Sequence, residues 1–444
     1  MPATFERSIA TGAMPLRPPW WLSPAWLFAA VMGLTAVAAA LQTDHVYRLY
    51  DARKYFEFKH LLLALAAITV FALGSRIGRG TGRLPPTATD DIDDKVAWWF
   101  KFSSALTIIG YVVWLGMGMR NGFSLAGVRE FLTVSDPAAV DFEAREVFKT
   151  IPGVTTCTQF GPAAMLLGLW LELRGRRGVR LILATILILG TIRALLYSER
   201  FALIELVIPS AVLILRMRFL GRPARSSVHR NLAIAPIAGL VAMLVLFGSF
   251  EYFRSWRYYQ DDFDSIAEFT VWRVAGYYTT AHNNGAMALE RLGHYPLPYL
   301  TLLPLWEFPM LDQTPFGYTK LTGIDPGETY KALLERYATP ELNSEGGLFS
   351  PALDYGLAGF FLFWLGAGFV AARLYRSFLV GAFAGVMLYP LMFLAILESP
   401  RGLYLCYTRA FPTIVLLLFV SFMLRQPAAS RSAAARSMIE PEPV

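Results

Sequence analysis

An all-α polytopic membrane protein with about ten transmembrane helices is the fold class this sequence predicts, and three observations predict it. Hydrophobic residues fill 55% of the 444 positions and charged residues only 16%, with mean hydropathy +0.44. That balance lies outside the soluble range, so lipid is the solvent for most of the chain. Apolar runs recur along it at close to the ~20 residues that a spanning helix needs. Arginine gathers in the short connections between alternate runs.

The runs lie at residues 24–41, 60–74, 96–119, 153–173, 180–197, 201–215, 231–250, 351–372, 378–397 and 410–424. The sixth is short, and Arg216 and Arg218 just beyond it extend its reach by snorkelling. Arg76, Arg79 and Arg83 follow the second run; Arg174, Arg176, Arg177 and Arg180 follow the fourth. Arg216, Arg218, Arg222, Arg225 and Arg230 follow the sixth, and Arg373 and Arg376 follow the eighth. Short arginine-rich loops stay cytoplasmic. Ten crossings from a cytoplasmic N-terminus put all of these loops inside, together with the C-terminus.

The expected layout is a cytoplasmic lead (1–24), helices one to seven (25–250), a large, partly helical loop on the outer side (251–350), helices eight to ten (351–424) and a disordered cytoplasmic tail (425–444). The first run ends in Ala-Val-Ala-Ala-Ala, as a cleavable signal would. The lead with Pro15, Pro18, Pro19, Trp20 and Trp21 reads instead as an interfacial belt before a retained helix. The net charge of +7 flanks the runs instead of forming a patch, so membrane lipids, and not nucleic acid, are the expected partners. Cys157 and Cys406 lack metal-ligand spacing, and the five histidines are scattered. Phosphate-loop, dinucleotide and Gly-x-Ser-x-Gly motifs are missing too. No metal and no cofactor is expected.

The outer face is built from residues 42–59, 120–152, 198–200, 251–350 and 398–408. Arg193 lies inside an apolar run and Arg200 seven residues on; a helix that continued that far would put both two turns apart on one face. Arg401 and Arg409 bracket the last hairpin, and Arg254 and Arg257 open the large loop at i, i+3. A guanidinium fork matches phosphate oxygens, so these six suit a lipid-linked phosphate or pyrophosphate. Local pairing is the competing reading: Arg200 with Glu199 or Glu205, and Arg401 with Glu398. Glu199, Asp354 and Glu398 stand at outer ends of runs, where low dielectric raises a carboxyl pKa and favours a general base. Asp354 also fits a salt bridge or a helix N-terminal charge.

The large loop brings Trp256, Tyr258, Tyr259, Trp272, Tyr277 and Tyr278, rings on which a pyranose stacks, or which form loop core and membrane belt. Residues 269–292 have helical character, and 282–285 read as a polar turn. Residues 298–311 are apolar but too short to span, so they form an interfacial segment or a lid.

The stretch that opens Ser350-Pro-Ala-Leu-Asp-Tyr-Gly-Leu-Ala-Gly359 resembles the Asp-Phe-Gly-x-x-Gly helix of Wzy-type polymerases, the O-antigen and oligosaccharide repeat-unit polymerases of bacteria. Asp354, Gly356 and Gly359 match, and Tyr355 replaces the Phe. Tyr197-Ser-Glu-Arg-Phe-Ala-Leu203 is similar to that family's Gly-Ser-Arg segment, with Arg200 in place and Glu199 where a small residue is common. The likeness is greatest in the second half of the chain. It implies a GT-C-like helical bundle in the bacterial inner membrane that acts as an inverting, metal-independent glycosyltransferase in O-antigen or exopolysaccharide synthesis. The donor and acceptor would be undecaprenyl-pyrophosphate-linked oligosaccharides at the periplasmic face, with a chain-length regulator as a further partner. The alternatives are a lipid-linked glycan ligase, or a transporter or flippase.

Overall fold

The computed structural model describes residues 14–15, 18–80, 92–122, 147–148, 151, 153–196, 200–220, 223–224 and 226–424. The first half of the chain forms α1 (Pro24–Leu41), α2 (Asp44–Leu49), α3 (Phe58–Gly80), α4 (Asp93–Arg120), α5 (Gly161–Leu173), α6 (Val179–Leu196), α7 (Arg200–Arg218) and α8 (Ser226–Arg254). The large connection holds α9 (Trp256–Tyr259), α10 (Ile266–Arg291), α11 (Leu303–Trp306), α12 (Tyr318–Thr322) and α13 (Pro326–Tyr337). The chain closes with α14 (Ser350–Val380), α15 (Phe383–Glu398) and α16 (Phe411–Met423). Among the described residues the only strand pairing joins Met14–Pro15 to Pro223–Ala224.

Six of these helices are long and apolar enough to cross a membrane: α1, α3, α4, α6, α14 and residues 231–252 of α8. The chain is therefore a polytopic helical membrane protein. The apolar α5, α15 and α16 are shorter, at 13, 16 and 13 residues, and α7 carries Glu205 and Pro209 inside its 19. None of residues 231–249 of α8 is buried against protein. An apolar helix with exposed Ile234, Ile237, Val241 and Val245 is one immersed in lipid.

The bundle has two chemically distinct ends. At one, the arginine-rich connections are tied down: Arg174 Nε donates to Asp93 Oδ2 at 2.9 Å, and Arg176 pairs with Asp94 at 2.6 Å. There Arg216 does not snorkel. It donates to the carbonyls of Phe378 and Leu379 at 2.6 and 3.0 Å, satisfying the C-terminal acceptors of α14. The other end carries the large connection.

The closest helix pair is α3 against α14, and it is made by small residues. A Cβ on Gly74 would stand 2.0 Å from the Leu365 carbonyl oxygen, and one on Gly78 2.5 Å from that of Phe369. Ser75 Oγ donates to the Gly368 carbonyl at 3.1 Å. Gly74-x-x-x-Gly78 is thus a contact stripe that lets two backbones touch, which matters in lipid, where apolar area alone does not drive helices together.

The connection is less open than a loop. Helix α10 runs for 26 residues and is buried along most of its length between α1, α8 and the start of α14. His282-Asn283-Asn284, read from sequence as a turn, lies mid-helix and fully buried. Asn283 accepts from the Tyr55 and Phe56 amides at 2.6 and 3.0 Å and donates to the Arg53 carbonyl at 2.7 Å. Asn284 donates to the carbonyls of Leu342 and Ser344 at 2.7 and 3.1 Å. These amides satisfy backbone groups that have no helix or sheet partner, as burial requires. Burial pushes the His282 pKa down to about 3, which keeps the ring neutral beside Thr35.

Gly74→Val is expected to force α3 and α14 apart and to cost about 1–3 kcal/mol or more, the range for overpacking a tight contact. A thermal unfolding series in detergent checks this, with Gly80→Val, whose position is open, as the control.

Candidate active site

The end that carries the large connection collects charged side chains from several helix termini. Glu251, near the end of α8, has no exposed surface. Arg200 Nη1 at the start of α7 donates to Glu251 Oε1 at 2.7 Å, and Arg273 Nε of α10 stands 3.5 Å from Oε2. Arg273 also pairs with Glu341, whose other oxygen accepts from Tyr259 Oη at 2.9 Å. The guanidinium of Arg200 lies 3.6 Å over the Phe247 ring and donates to Tyr277 Oη at 3.3 Å. Arg401 approaches the same Tyr277 ring at 5.4 Å. Alternating charges on four segments are tolerable in a dry site because each partner offsets the other's desolvation.

A cavity of about 110 Å³ lies along the same helix α7, lined by Arg193, Arg409, Glu205, Tyr111, Thr158 and Gln159 among others. Arg409 grips Glu205 bidentately at 2.9 and 2.8 Å, and its guanidinium covers the Phe201 ring at 4.8 Å. Arg193 Nη1 donates to Thr158 Oγ1 at 2.7 Å. The side-chain amide oxygen of Gln159, also on the cavity wall, is buried without a donor.

Four of the six predicted arginines therefore meet in one region: Arg193, Arg200, Arg401 and Arg409. Local pairing also holds for three of them, but with partly different partners. Arg401 pairs with Glu398 at 3.3 Å, as the spacing suggested. Arg200 takes Glu251, and Glu205 goes to Arg409. Arg200 and Glu205 are five residues apart on one helix, whereas helix faces bring together residues three or four apart. Arg257 is exposed, outside this group. The side chain of Arg254 and all of Glu199 lie outside the described residues.

Asp354 is fully engaged. Its Oδ1 accepts from the Tyr299 and Leu300 amides at 2.9 and 3.1 Å, and its Oδ2 from the Thr301 amide and hydroxyl at 2.7 and 2.6 Å. Tyr355 Oη adds a bond of 2.7 Å to Thr301 Oγ1. Gly356 then breaks α14 at φ 68°, ψ −174°, a conformation open essentially to glycine alone. The Asp-Tyr-Gly sequence is a joint that clamps the large connection to the head of α14. That geometry gives Asp354 the work of an anchor, not of a base.

The rings divide similarly. Tyr259 and Trp272 pack with Phe263 and Phe269, Trp256 leans on Phe269, and Trp272 stacks on Tyr50 at 4.4 Å. Tyr277 is the buried floor beneath the arginines, and Tyr278 is partly buried beside it. Tyr258 alone of the six is exposed. Most of the aromatic set is core of the connection.

Sequence reasoning passed over Glu345. The strap that carries it is fixed by Asn284, by Tyr330 Oη donating to the Ser344 carbonyl, and by the Gly346 amide donating to the Arg401 carbonyl at 3.2 Å. No lysine or arginine among the described residues lies within salt-bridge distance of Glu345. Burial first, then the charges of Asp354 and Glu307, push its carboxyl up to about 7. It stands between the Asp354 joint and the Arg401 turn. Glu251 did leave a signal, as an acid closing an apolar run. Glu345, in a Ser-Glu-Gly-Gly loop, left none. Cys157 and Cys406 are free thiols.

No protein-family model, curated protein or solved structure matches this chain.

Asp354→Ala would leave buried donors at residues 299–301 without an acceptor, at a cost of about 1–3 kcal/mol each. Hydrogen exchange is expected to speed up at the amides of Tyr299, Leu300 and Thr301 while α3 and the spanning part of α14 keep their protection.

Proposed function

We propose that this chain is a bacterial inner-membrane glycosyltransferase that joins lipid-pyrophosphate-linked oligosaccharides at the periplasmic face, as a repeat-unit polymerase does. It crosses the membrane ten times, α7 and the shorter α5, α15 and α16 included. The arginine-rich end faces the cytoplasm and the large connection faces out. The observation that carries the reading is the gathering of four arginines from two helix hairpins, Arg193 and Arg409 on the wall of one cavity and Arg200 and Arg401 over the Tyr277 ring. Cations are rare at that end of a spanning helix, and gathering them suits a dianionic lipid headgroup.

In this reading the carboxylates of Glu205, Glu251 and Glu398 hold the guanidiniums in register and do not silence them. A guanidinium has five N–H donors. Arg401 gives one to Glu398, while its Nε is buried without an acceptor. As the acceptor hydroxyl attacks the donor's anomeric carbon, its proton passes to Glu345, the new C–O bond forms with inversion, and the bond to pyrophosphate breaks. The arginines take up the charge that develops on the departing lipid pyrophosphate. Glu345 is the base because its carboxyl titrates near working pH.

Purified protein given a lipid-pyrophosphate oligosaccharide is expected to yield a ladder of longer products. Single addition of a preformed block would favour a ligase, and no lengthening at all would end the glycosyltransferase reading. Arg401→Ala should lower turnover by about 10²-fold, the scale for removing one charge-stabilising donor.

Glu345 has to be ionised to accept a proton, so turnover should climb as pH rises through about 7. Glu345→Gln should remove both that limb and most of the turnover. The same variant should be more thermostable than the parent above that pH, where the folded parent carries a buried charge, and close to it well below.

A further inference from the structure

The segment that the Asp354 joint anchors is itself unusual. Between residues 297 and 321 it exposes Leu302, Leu305, Phe308, Met310, Phe316 and Leu321, with Phe308 at 59%, Met310 at 70% and Phe316 at 69%. The fold of the segment is internally fixed. Trp306 Nε1 donates to the Pro298 carbonyl at 2.7 Å, Tyr318 Oη to that of Leu297 at 2.9 Å, and the Tyr318 ring packs on Tyr299 and Trp306. Met310 sits at its tip with φ 70°, a backbone conformation that long side chains rarely adopt. A rigid fold that turns its largest apolar side chains outward is built to meet something apolar.

Two ties say what that is. Asp354 holds the segment to the head of α14, and Glu307 accepts from Thr408 just before α16. The segment therefore bridges the heads of two apolar helices. Both of them expose apolar side chains in the turns that follow those ties: Leu357 and Leu362 on α14, and Phe411, Val415 and Leu418 on α16. The exposed patch is thus tied to the ends of helices that themselves expose apolar surface. Glu307 and Asp312 lie in the same segment and set a limit on its depth, because carboxylates stay at the headgroup level.

We infer that residues 297–321 form a membrane-resting platform whose occupant is the adjoining leaflet, with Phe308, Met310 and Phe316 inserted at the headgroup–acyl boundary. Such an element sinks about 5–10 Å into that boundary. It would fix the height of the whole connection, including the strap that carries Glu345, relative to the bilayer. The inference uses only the membrane class of the fold, so it can fail while the glycosyltransferase reading stands, and the reverse.

The test uses full-length protein in nanodiscs. A bimane label is placed at Met310→Cys or Phe308→Cys in a Cys157→Ser, Cys406→Ser background, with Glu328→Cys on exposed α13 as the control. Lipids brominated near the headgroup are expected to quench the 308 and 310 labels about twofold, the depth expected of an interfacial element, and iodide to leave them bright. The control should show the opposite pattern. Quenching of the 308 and 310 labels by iodide alone overturns the inference, because the patch then faces water. Shielding from both quenchers also overturns it, because protein, such as a second copy, then covers the patch. If the cysteine-free chain does not assemble, diazirine-lipid crosslinking of the unaltered protein decides: adducts at 302–316 support the platform, and adducts confined to the spanning helices overturn it.

Discussion

Glu251 has no exposed surface and yet is an acid, and the end of the bundle that holds the large connection is organised around that constraint. A carboxylate taken out of water costs several kcal/mol unless cations meet it with good geometry. Arg200 meets it at 2.7 Å and Arg273 stands 3.5 Å away, from two other helices, and Glu341 extends the chain of pairs into the connection. One buried acid thus ties α7, α8, α10 and the segment after α13 together. Tyr277 owes its place under three guanidiniums to the same network. Where apolar contact is no reward, because lipid offers it equally, such pairs and the glycine contact between α3 and α14 specify which helices meet.

The connection between α8 and α14 is a folded cap, not a tether. Buried amides of α10 satisfy loop carbonyls and amides, Asp354 gathers four donors, and Gly356 turns the chain from cap to spanning helix. Each device secures backbone groups that neither water nor helix geometry satisfies. The cap carries both the exposed apolar segment 297–321 and the strap with Glu345. Glu345, which pairs with no cation among the described residues, adjoins Gly346, whose amide donates to the Arg401 carbonyl. Separating an acid that titrates near neutrality from fixed positive charge is an arrangement that supports proton transfer and anion departure in one step.

Much of the bundle was legible before any coordinates. Runs of apolar residues mark helices because each backbone group in lipid must be satisfied within its own segment. Apolar helices duly stand at the ten predicted stretches, with six long enough to qualify as spans. The Gly74–Gly78 spacing was equally open to reading and was passed over. The polar cluster at 282–284 misled, because amides and an imidazole in a row look like a turn until a neighbouring chain supplies the groups they bind.

The sequence by itself determined the solvent of this protein, its helices and the end-to-end asymmetry of its charge, since hydropathy and arginine placement are local properties. Only the tertiary structure decided who pairs with whom: Arg200 with Glu251, Arg409 with Glu205, Asp354 with three backbone amides, and Glu345 with no cation among the described residues. The reason is physical. A side chain's charge is written in its residue type, but its energy depends on the groups that other segments bring within a few ångströms, and a single chain read in order does not contain that distance.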